Sequence, residues 1–288
     1  MTGKTLLVGA TGFLGSFVAA RLAEREPVVL SRPTSDRSVL PQGLEVRVGD
    51  LARPLPLDGI STLIYCASMG FGHIPLLMHQ LETCGVKRAV FVSTTAIFTS
   101  LPSTSRTVRL AAEAAVQTSS LDWTLLRPTM IYGTRRDRNI SRLLYFLQRW
   151  PVFPVCGNAL WQPVYVEDLA DAVVAALDSR SAVGNAYNLA GAAPLQFGAL
   201  VRTAARAVGR RVMLVRVPLE SAVLAARLTR VVSAEQIRRL AEDKAFPITD
   251  AARDFGFAPR TFQAGVRLEA RALGFNTREY ADSGADPG

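Results

Sequence analysis

Acidic residues are scarce in this chain of 288 residues: 24 Asp and Glu stand against 33 Lys and Arg, a formal net charge of +9. Lysine is scarcer still. Lys4, Lys87 and Lys244 are the only ones, so the excess is arginine. Such a balance suits nucleic acid, an acidic membrane surface or ligands that carry phosphate. The arginines are scattered along helical stretches, and no basic run interleaves with aromatics. Nucleic acid is therefore not expected, and sites for phosphate-bearing ligands are. Cysteine is limited to Cys66, Cys84 and Cys156, odd in number and widely spaced. This argues against a disulfide framework and a zinc site, and for a reducing cytoplasm. The only histidines, His73 and His79, have a spacing that suits neither a shared metal nor a triad. They read as surface or helix-cap residues. No run of about 18 uncharged apolar residues exists, so no transmembrane helix is expected. The most apolar late stretch, 219–232, is broken by Glu220, Arg227 and Arg230. The first strand-like run begins at Thr5 with no leader-like segment before it, so no signal peptide is expected. No internal repeat is visible.

What the chain does have is apolar material, 49% of its residues. That is enough for one large domain, or a domain with a smaller lobe. Short apolar runs at Thr5–Val8, Val28–Leu30, Leu44–Val48, Leu63–Ala67, Ala89–Val92 and Thr124–Arg127 read as strands. Between them, Phe13–Glu24, Ile74–Cys84 and Val108–Thr118 read as helices; Leu14, Val18 and Leu22 share one face of the first. Strand-helix alternation of this kind implies an α/β fold, a Rossmann-type doubly wound parallel sheet. The pattern loosens after Tyr132. Ile140–Arg149 and Glu167–Leu177 read as helices, and Tyr187–Leu189 as a strand returning to the sheet. Residues 1–133, with 162–191 returning, are expected to form the sheet domain. Residues 134–161 and 192–275 are expected to form a smaller, mainly helical C-terminal lobe, and 276–288 a flexible tail.

The segment Gly9-Ala10-Thr11-Gly12-Phe13-Leu14-Gly15 lies between a strand and a helix. That is the context in which a glycine triplet cradles a dinucleotide. Gly9 permits the tight turn, Gly12 lets backbone approach a pyrophosphate, and Gly15 lets helix pack on strand. Thr11, Phe13 and Leu14 complete the cradle, and the helix N-terminus offers N–H groups and a positive dipole end. The end of the second strand separates the two nicotinamide cofactors. A carboxylate there binds the ribose hydroxyls of NAD, whereas an arginine accommodates the extra phosphate of NADP. Ser31-Arg32 stand there, with Arg37 beyond, so NADP(H) is expected and NAD is the alternative. Asp50 and Leu51 after the third strand are placed for the adenine edge. Cys66-Ala67-Ser68 after the fourth would pass beneath the cofactor.

These segments, with Phe91-Val92-Ser93-Thr94, Leu126-Arg127-Pro128-Thr129-Met130-Ile131-Tyr132-Gly133, Pro163-Val164-Tyr165-Val166-Glu167-Asp168-Leu169-Ala170 and Tyr187-Asn188-Leu189-Ala190-Gly191, make the chain resemble the short-chain dehydrogenase/reductase superfamily, in its extended epimerase/dehydratase branch. The resemblance runs to about residue 200. It implies that Pro128, Met130 and Ile131 contact the nicotinamide. It also implies a Ser or Thr after the fifth strand, then a Tyr and a Lys four residues later. The Tyr exchanges a proton with substrate, and the Lys lowers its pKa and holds the ribose. A phenol at its ordinary pKa of about 10 is a poor base at neutral pH. Thr94 fits the first position, but Ser105 and Arg109 stand where the Tyr and Lys belong, and no tyrosine lies between Tyr65 and Tyr132. Arg109 can donate to ribose hydroxyls, whereas a serine hydroxyl cannot replace a tuned phenol. Nucleotide-sugar enzymes of this branch commonly carry an arginine just before the segment that begins at Pro163. Trp161-Gln162 stand there instead.

Two readings follow. One is an atypical oxidoreductase or epimerase-like enzyme for a small substrate, with Thr94 or water handling the proton. The other is a non-catalytic NADP-binding module that senses redox state or supports a larger assembly, as members of the superfamily without the Tyr and Lys do. Arg135, Arg136 and Arg138 form either a site for an anionic substrate or a solvated loop. Glu167 and Asp168 suit a helix cap better than a catalytic pair. A homodimer is an assembly the reading allows.

Overall fold

The computed structural model describes residues 3–101, 103–223 and 234–275. The expected tail, 276–288, and most of the late apolar stretch lie outside the described residues. The chain divides into two compact units. One comprises Met1–Thr129, Val166–Ala190 and Phe246–Pro259; the other Met130–Tyr165, Gly191–Ala245 and Arg260–Gly288.

The first unit is built on seven parallel strands: β1 (Lys4–Val8), β2 (Val28–Ser31), β3 (Glu45–Val48), β4 (Ile60–Tyr65), β5 (Arg88–Val92), β6 (Asp122–Pro128) and β11 (Asn185–Leu189), in the order β11-β6-β5-β4-β1-β2-β3. The central strands are apolar along their length because both faces are covered. Leu6, Leu7, Val28, Val29, Leu63, Ile64, Val90, Phe91, Leu125 and Leu126 are all fully buried or nearly so. Each such side chain stabilises the fold by roughly 1.5–3 kcal/mol. Helices α1 (Phe13–Leu22) and α5 (Val166–Asp178) pack together, joined by Arg21 Nε donating to Asp171 at 2.7 Å. Helices α2 (Ile74–Thr83) and α3 (Thr104–Gln117) also pack on one another. Arg88 fastens α5 to the sheet. Its guanidinium donates to the carbonyls of Ala176 at 2.6 Å and Asp122 at 2.7 Å, a cation against a helix C-terminus.

Element ends and the division of the chain differ from the sequence reading in several details. Strand β4 begins at Ile60 and ends at Tyr65, because Cys66 and Ala67 leave the strand to run against the glycine loop. Helix α3 begins at Thr104, not Val108, so Ser105 and Arg109 both lie in its first turns. The segment Phe246–Pro259, expected in the lobe, clusters with the sheet unit. Its helix Thr249–Phe255 sits on β11, where Tyr187 donates to Asp254 at 2.7 Å and stacks edge-on against Phe255.

The second unit gathers α4 (Ile140–Arg149), α6 (Phe197–Ala207) and the helix Phe262–Ala272 around Tyr132, Leu144, Leu147, Leu200, Val201 and Val266. Three two-stranded pairs trim it: β7 (Ile131–Tyr132) with β10 (Val164–Tyr165), β9 (Leu160–Trp161) with β12 (Leu195–Gln196), and β8 (Val152–Val155) with β13 (Met213–Arg216).

Candidate functional site

Strand order reverses between β1 and β4, with β2 and β3 on one side of β1 and β4, β5, β6 and β11 on the other. Open parallel sheets bind ligands at the carboxyl ends of the strands flanking such a switch. The glycine loop follows β1, and Cys66-Ala67-Ser68 follows β4, so both lie at that point. Gly9 adopts φ +81°, and a Cβ there would fall 2.7 Å from the Ala67 nitrogen. The turn is closed by Gly12 N–H donating to the Gly9 carbonyl at 2.9 Å. A Cβ at Gly15 would lie 2.0 Å from that same carbonyl oxygen, so α1 meets the loop only because residue 15 lacks one. Gly12 is exposed at the head of α1, no side chain caps that end, and no acidic residue occupies the first turn. These features fit a dinucleotide pyrophosphate: free N–H groups, a positive dipole end, and no carboxylate to compete.

At the end of β2, Arg37 Nε donates to the Ser31 hydroxyl at 3.1 Å, and Ser31 in turn donates to the Arg32 carbonyl at 3.2 Å. Arg32 is exposed. Arg37 reaches Ser31 by folding back across a turn closed by Ser35 N–H on the Arg32 carbonyl at 3.1 Å. The structure thus gathers Ser31, Arg32 and Arg37 at one strand end, and the contact of Arg37 is one that sequence spacing alone did not give. Asp50 spends one carboxylate oxygen on the Ala52 N–H at 2.9 Å, which shapes the turn after β3. Leu51, beside it, lines a small groove with Leu55, Leu76, Leu77 and Gln80. Burial pushes the Cys66 thiol up to about 12, so it stays protonated at neutral pH. Among the described residues no metal-binding cluster occurs. His73 stands at the start of α2, and His79 is exposed.

Ser105 and Arg109 come together. Arg109 donates to the Ser105 hydroxyl at 2.9 Å, and Ser103 and Ser105 share a hydrogen bond at 3.0 Å. The guanidinium also lies against Gly70, where a Cβ would approach it to 3.4 Å. Ser68 caps this same turn, accepting from Gly70 N–H at 3.2 Å. Hydroxyls and a guanidinium are thereby assembled where β4 ends and α3 begins. Thr94 is engaged locally. Its hydroxyl accepts from Ala96 N–H at 3.2 Å and caps the short turn after β5. Sequence reasoning missed the clamp that fixes α3 to β6. Glu113, only 3% exposed, takes Arg127 in two-pronged fashion at 2.6 and 3.2 Å, and Phe98 covers the guanidinium. The neighbouring Pro128 carbonyl accepts from the Thr95 hydroxyl at 3.2 Å. Met130 is half-buried in the second unit, and Ile131 opens β7 there.

In the second unit, Tyr132 is fully buried between Tyr165 and Phe262. A Cβ at Gly265 would come within 2.1 Å of its hydroxyl, so the helix Phe262–Ala272 lies directly over it. Its phenol is therefore closed to substrate. Gln162, 4% exposed, donates to the Gly191 carbonyl at 2.7 Å and locks two loops together. Asp137 turns inward beneath the exposed Arg135, Arg136 and Arg138, accepting from Asn139 N–H at 2.7 Å and from Ser141 N–H at 3.3 Å. Facing it is Glu269, fully buried and without a hydrogen bond of ordinary geometry. Desolvation first, and Asp137 second, push its carboxyl up to about 10.

Residues 9–145 match the family described as NAD(P)H-binding. A curated relative, the NADH dehydrogenase [ubiquinone] 1 alpha subcomplex subunit 9 of Arabidopsis thaliana mitochondria, is 30% identical over 64% of this chain. The chain spans about half of that relative's length, 52%. Among solved structures, that of gox2253 superposes with a TM-score of 0.77 at 22% identity, covering 94% of this chain and 98% of its own. The UDP-glucuronic acid 4-epimerase of Bacillus cereus in complex with NAD gives 0.74 at 15% identity, covering 96% and 100%. The family match covers the glycine loop and strands β2 to β6, and the solved structures share this chain's Rossmann-type fold.

Proposed function

We propose that this protein is an NADP(H)-preferring oxidoreductase or epimerase-like enzyme of the cytoplasm, acting on a small anionic substrate. The observation that carries the cofactor preference is the Ser31–Arg32–Arg37 cluster at the end of β2, with no carboxylate on that strand end. A guanidinium there pairs with a ribose 2′-phosphate and has nothing comparable to gain from a free hydroxyl. The cofactor, when bound, supplies hydride chemistry. Gly9, Thr11, Gly12, Phe13, Leu14 and Gly15 hold its pyrophosphate, Asp50 and Leu51 its adenine end, and Cys66, Ala67 and Ser68 flank it. Arg109 donates to its nicotinamide ribose, with Pro128, Met130 and Ile131 beside the ring. Thr94, or water held by Ser105, moves the substrate proton, and Arg135, Arg136 and Arg138 attract the anion. The three free cysteines agree with a reducing compartment.

Titration by cofactor fluorescence tests the preference. NADPH is expected to bind more tightly than NADH, and Arg32→Ala to remove most of the difference. Equal affinities, or a preference unchanged in Arg32→Ala, would sink the proposal. A second reading is a non-catalytic NADP-binding subunit. It is favoured by Ser105 in the phenol's place and by the relative named as a dehydrogenase subunit. General acid-base help is worth about 10²–10⁴-fold, so a chain without the tuned group is expected to turn over nucleotide sugars slowly or not at all. Turnover near 1 per second across such a panel, an ordinary enzyme rate, would discard the second reading.

A further inference from the structure

The ribbon of β8 and β13 in the second unit has one face that packs and one that does not. Phe153 stacks on Phe197, and Leu214 lies against Gly198 of α6. The register sets Met213 opposite Val152 and Val215 opposite Pro154. In a strand pair, alternate residues share a face, so these four form the other side. All four are exposed, Met213 at 61%. A ribbon packed on one face ordinarily turns polar groups outward, and this one turns none. Trp150, 54% exposed, extends the patch at the entrance to β8.

The charge of the chain segments that form it has one sign. No Asp or Glu occurs from residue 138 to 166, or from 179 to 219. The ribbon is flanked instead by Arg149, whose guanidinium lies over the Trp150 ring at 5.9 Å, and by Arg210, Arg211 and Arg216. Exposed apolar residues and a tryptophan fringed by arginine, on segments that themselves carry no acid, are what an interfacial membrane contact requires. A protein partner of ordinary specificity would call for polar groups among the apolar ones, and Pro154 in β8 further lacks a backbone N–H. A second copy of this chain would bring an equally basic rim into repulsive contact. We propose that this face docks on an anionic lipid bilayer, with Trp150, Val152, Met213 and Val215 entering the interface and the arginines meeting headgroup phosphates.

The test is flotation of the full chain with phosphatidylcholine vesicles made with and without phosphatidylglycerol. Binding is expected only with the anionic lipid, falling as salt is raised. Arg149→Ala should weaken it roughly fivefold, the worth of one surface cation near such a membrane. The pair Met213→Glu and Val215→Glu, both at exposed positions, should weaken it by about tenfold or more. A blue shift of tryptophan emission on binding should be lost in Trp150→Phe. Thermal melting and NADPH titration of each variant establish that it is folded. Absence of binding by the folded wild type, equal binding to neutral vesicles, or full binding by the double Glu variant overturns the proposal. So does a wild-type dimer in sedimentation that the double Glu variant dissolves, or an acidic protein captured through this face in place of lipid.

Discussion

Glu113 in the first unit and Glu269 in the second are both buried, and their partners have opposite signs. Glu113 faces the guanidinium of Arg127 and meets it oxygen by nitrogen. Glu269 faces the carboxyl of Asp137. Two like charges cannot both be sustained in so dry a place, so Glu269 keeps its proton instead. The first arrangement clamps α3 to β6 through paired opposite charges. The second joins the arginine loop to the helix Phe262–Ala272 only while the proton stays. One protein thus uses the same residue type in two ways: an ion pair where geometry must be fixed, a neutral acid where two segments only need to pack.

The largest test of that contrast is Arg127→Met. It leaves Glu113 buried without its partner, and stability in urea should fall by about 3–5 kcal/mol. A double variant with Glu113→Leu should recover most of the loss, since two apolar groups can replace a buried pair. The second test is Glu269→Gln against pH. Glu269 in the folded chain titrates far above the value near 4.3 of an unfolded glutamate. Its contribution to stability is therefore complete below that unfolded value. It is lost as pH rises towards about 10, where the folded group itself titrates. The decline cannot exceed about 1.4 kcal/mol per pH unit, one proton's worth. Glu269→Gln has no proton to lose, so its stability relative to wild type should rise with pH; a parallel pair of pH profiles would refute the shared-proton account. A smaller effect is expected from Asp137→Ala. Loss of its bonds to the start of α4 should cost about 0.5–2 kcal/mol, as helix caps do, and the alkaline decline should become shallower. Least of all is expected from Arg25→Ala. Its paired contact with Asp178 at 2.7 Å is about half exposed on both sides, and such pairs are worth about 0.2–1 kcal/mol.

The dinucleotide cradle was legible in the sequence because its requirements are local. Gly9, Gly12 and Gly15 are needed for reasons that act within seven residues, and alternating apolar strands announce a covered parallel sheet wherever they fall. The replacement of the Tyr and Lys by Ser105 and Arg109 was legible too, and both lie in one helix with a hydrogen bond between them. What stayed hidden depends on contacts between distant segments. Nothing around Arg127 indicates that Glu113 will meet it, since either could be a solvated charge. Nothing in the segment around Tyr132 shows that Gly265, more than a hundred residues later, brings a helix down over its phenol. The helix Thr249–Phe255 sits in a run of residues assigned to the lobe, and only the Tyr187–Asp254 hydrogen bond and the Phe255 ring explain its place on β11. Element ends moved for a similar reason: β4 stops where its backbone must clear Gly9, a constraint that the residues of β4 do not carry.

The position of β11 also bears on how the protein is made. Among the described residues, strand β6 lies next to last in the sheet, covered on its outer edge by β11 alone. A ribosome finishes β6 at Pro128 and does not reach the end of β11, Leu189, until 61 residues later (189 − 128). At about 5–20 residues per second, that leaves roughly 3–12 s in which the nascent sheet ends on the open ladder of β6. Leu125 and Leu126 sit in that strand. An unpaired apolar edge is a template for pairing with other chains, so this interval is when the half-made protein most needs shelter, and losing the segment after Thr129 would make the exposure permanent.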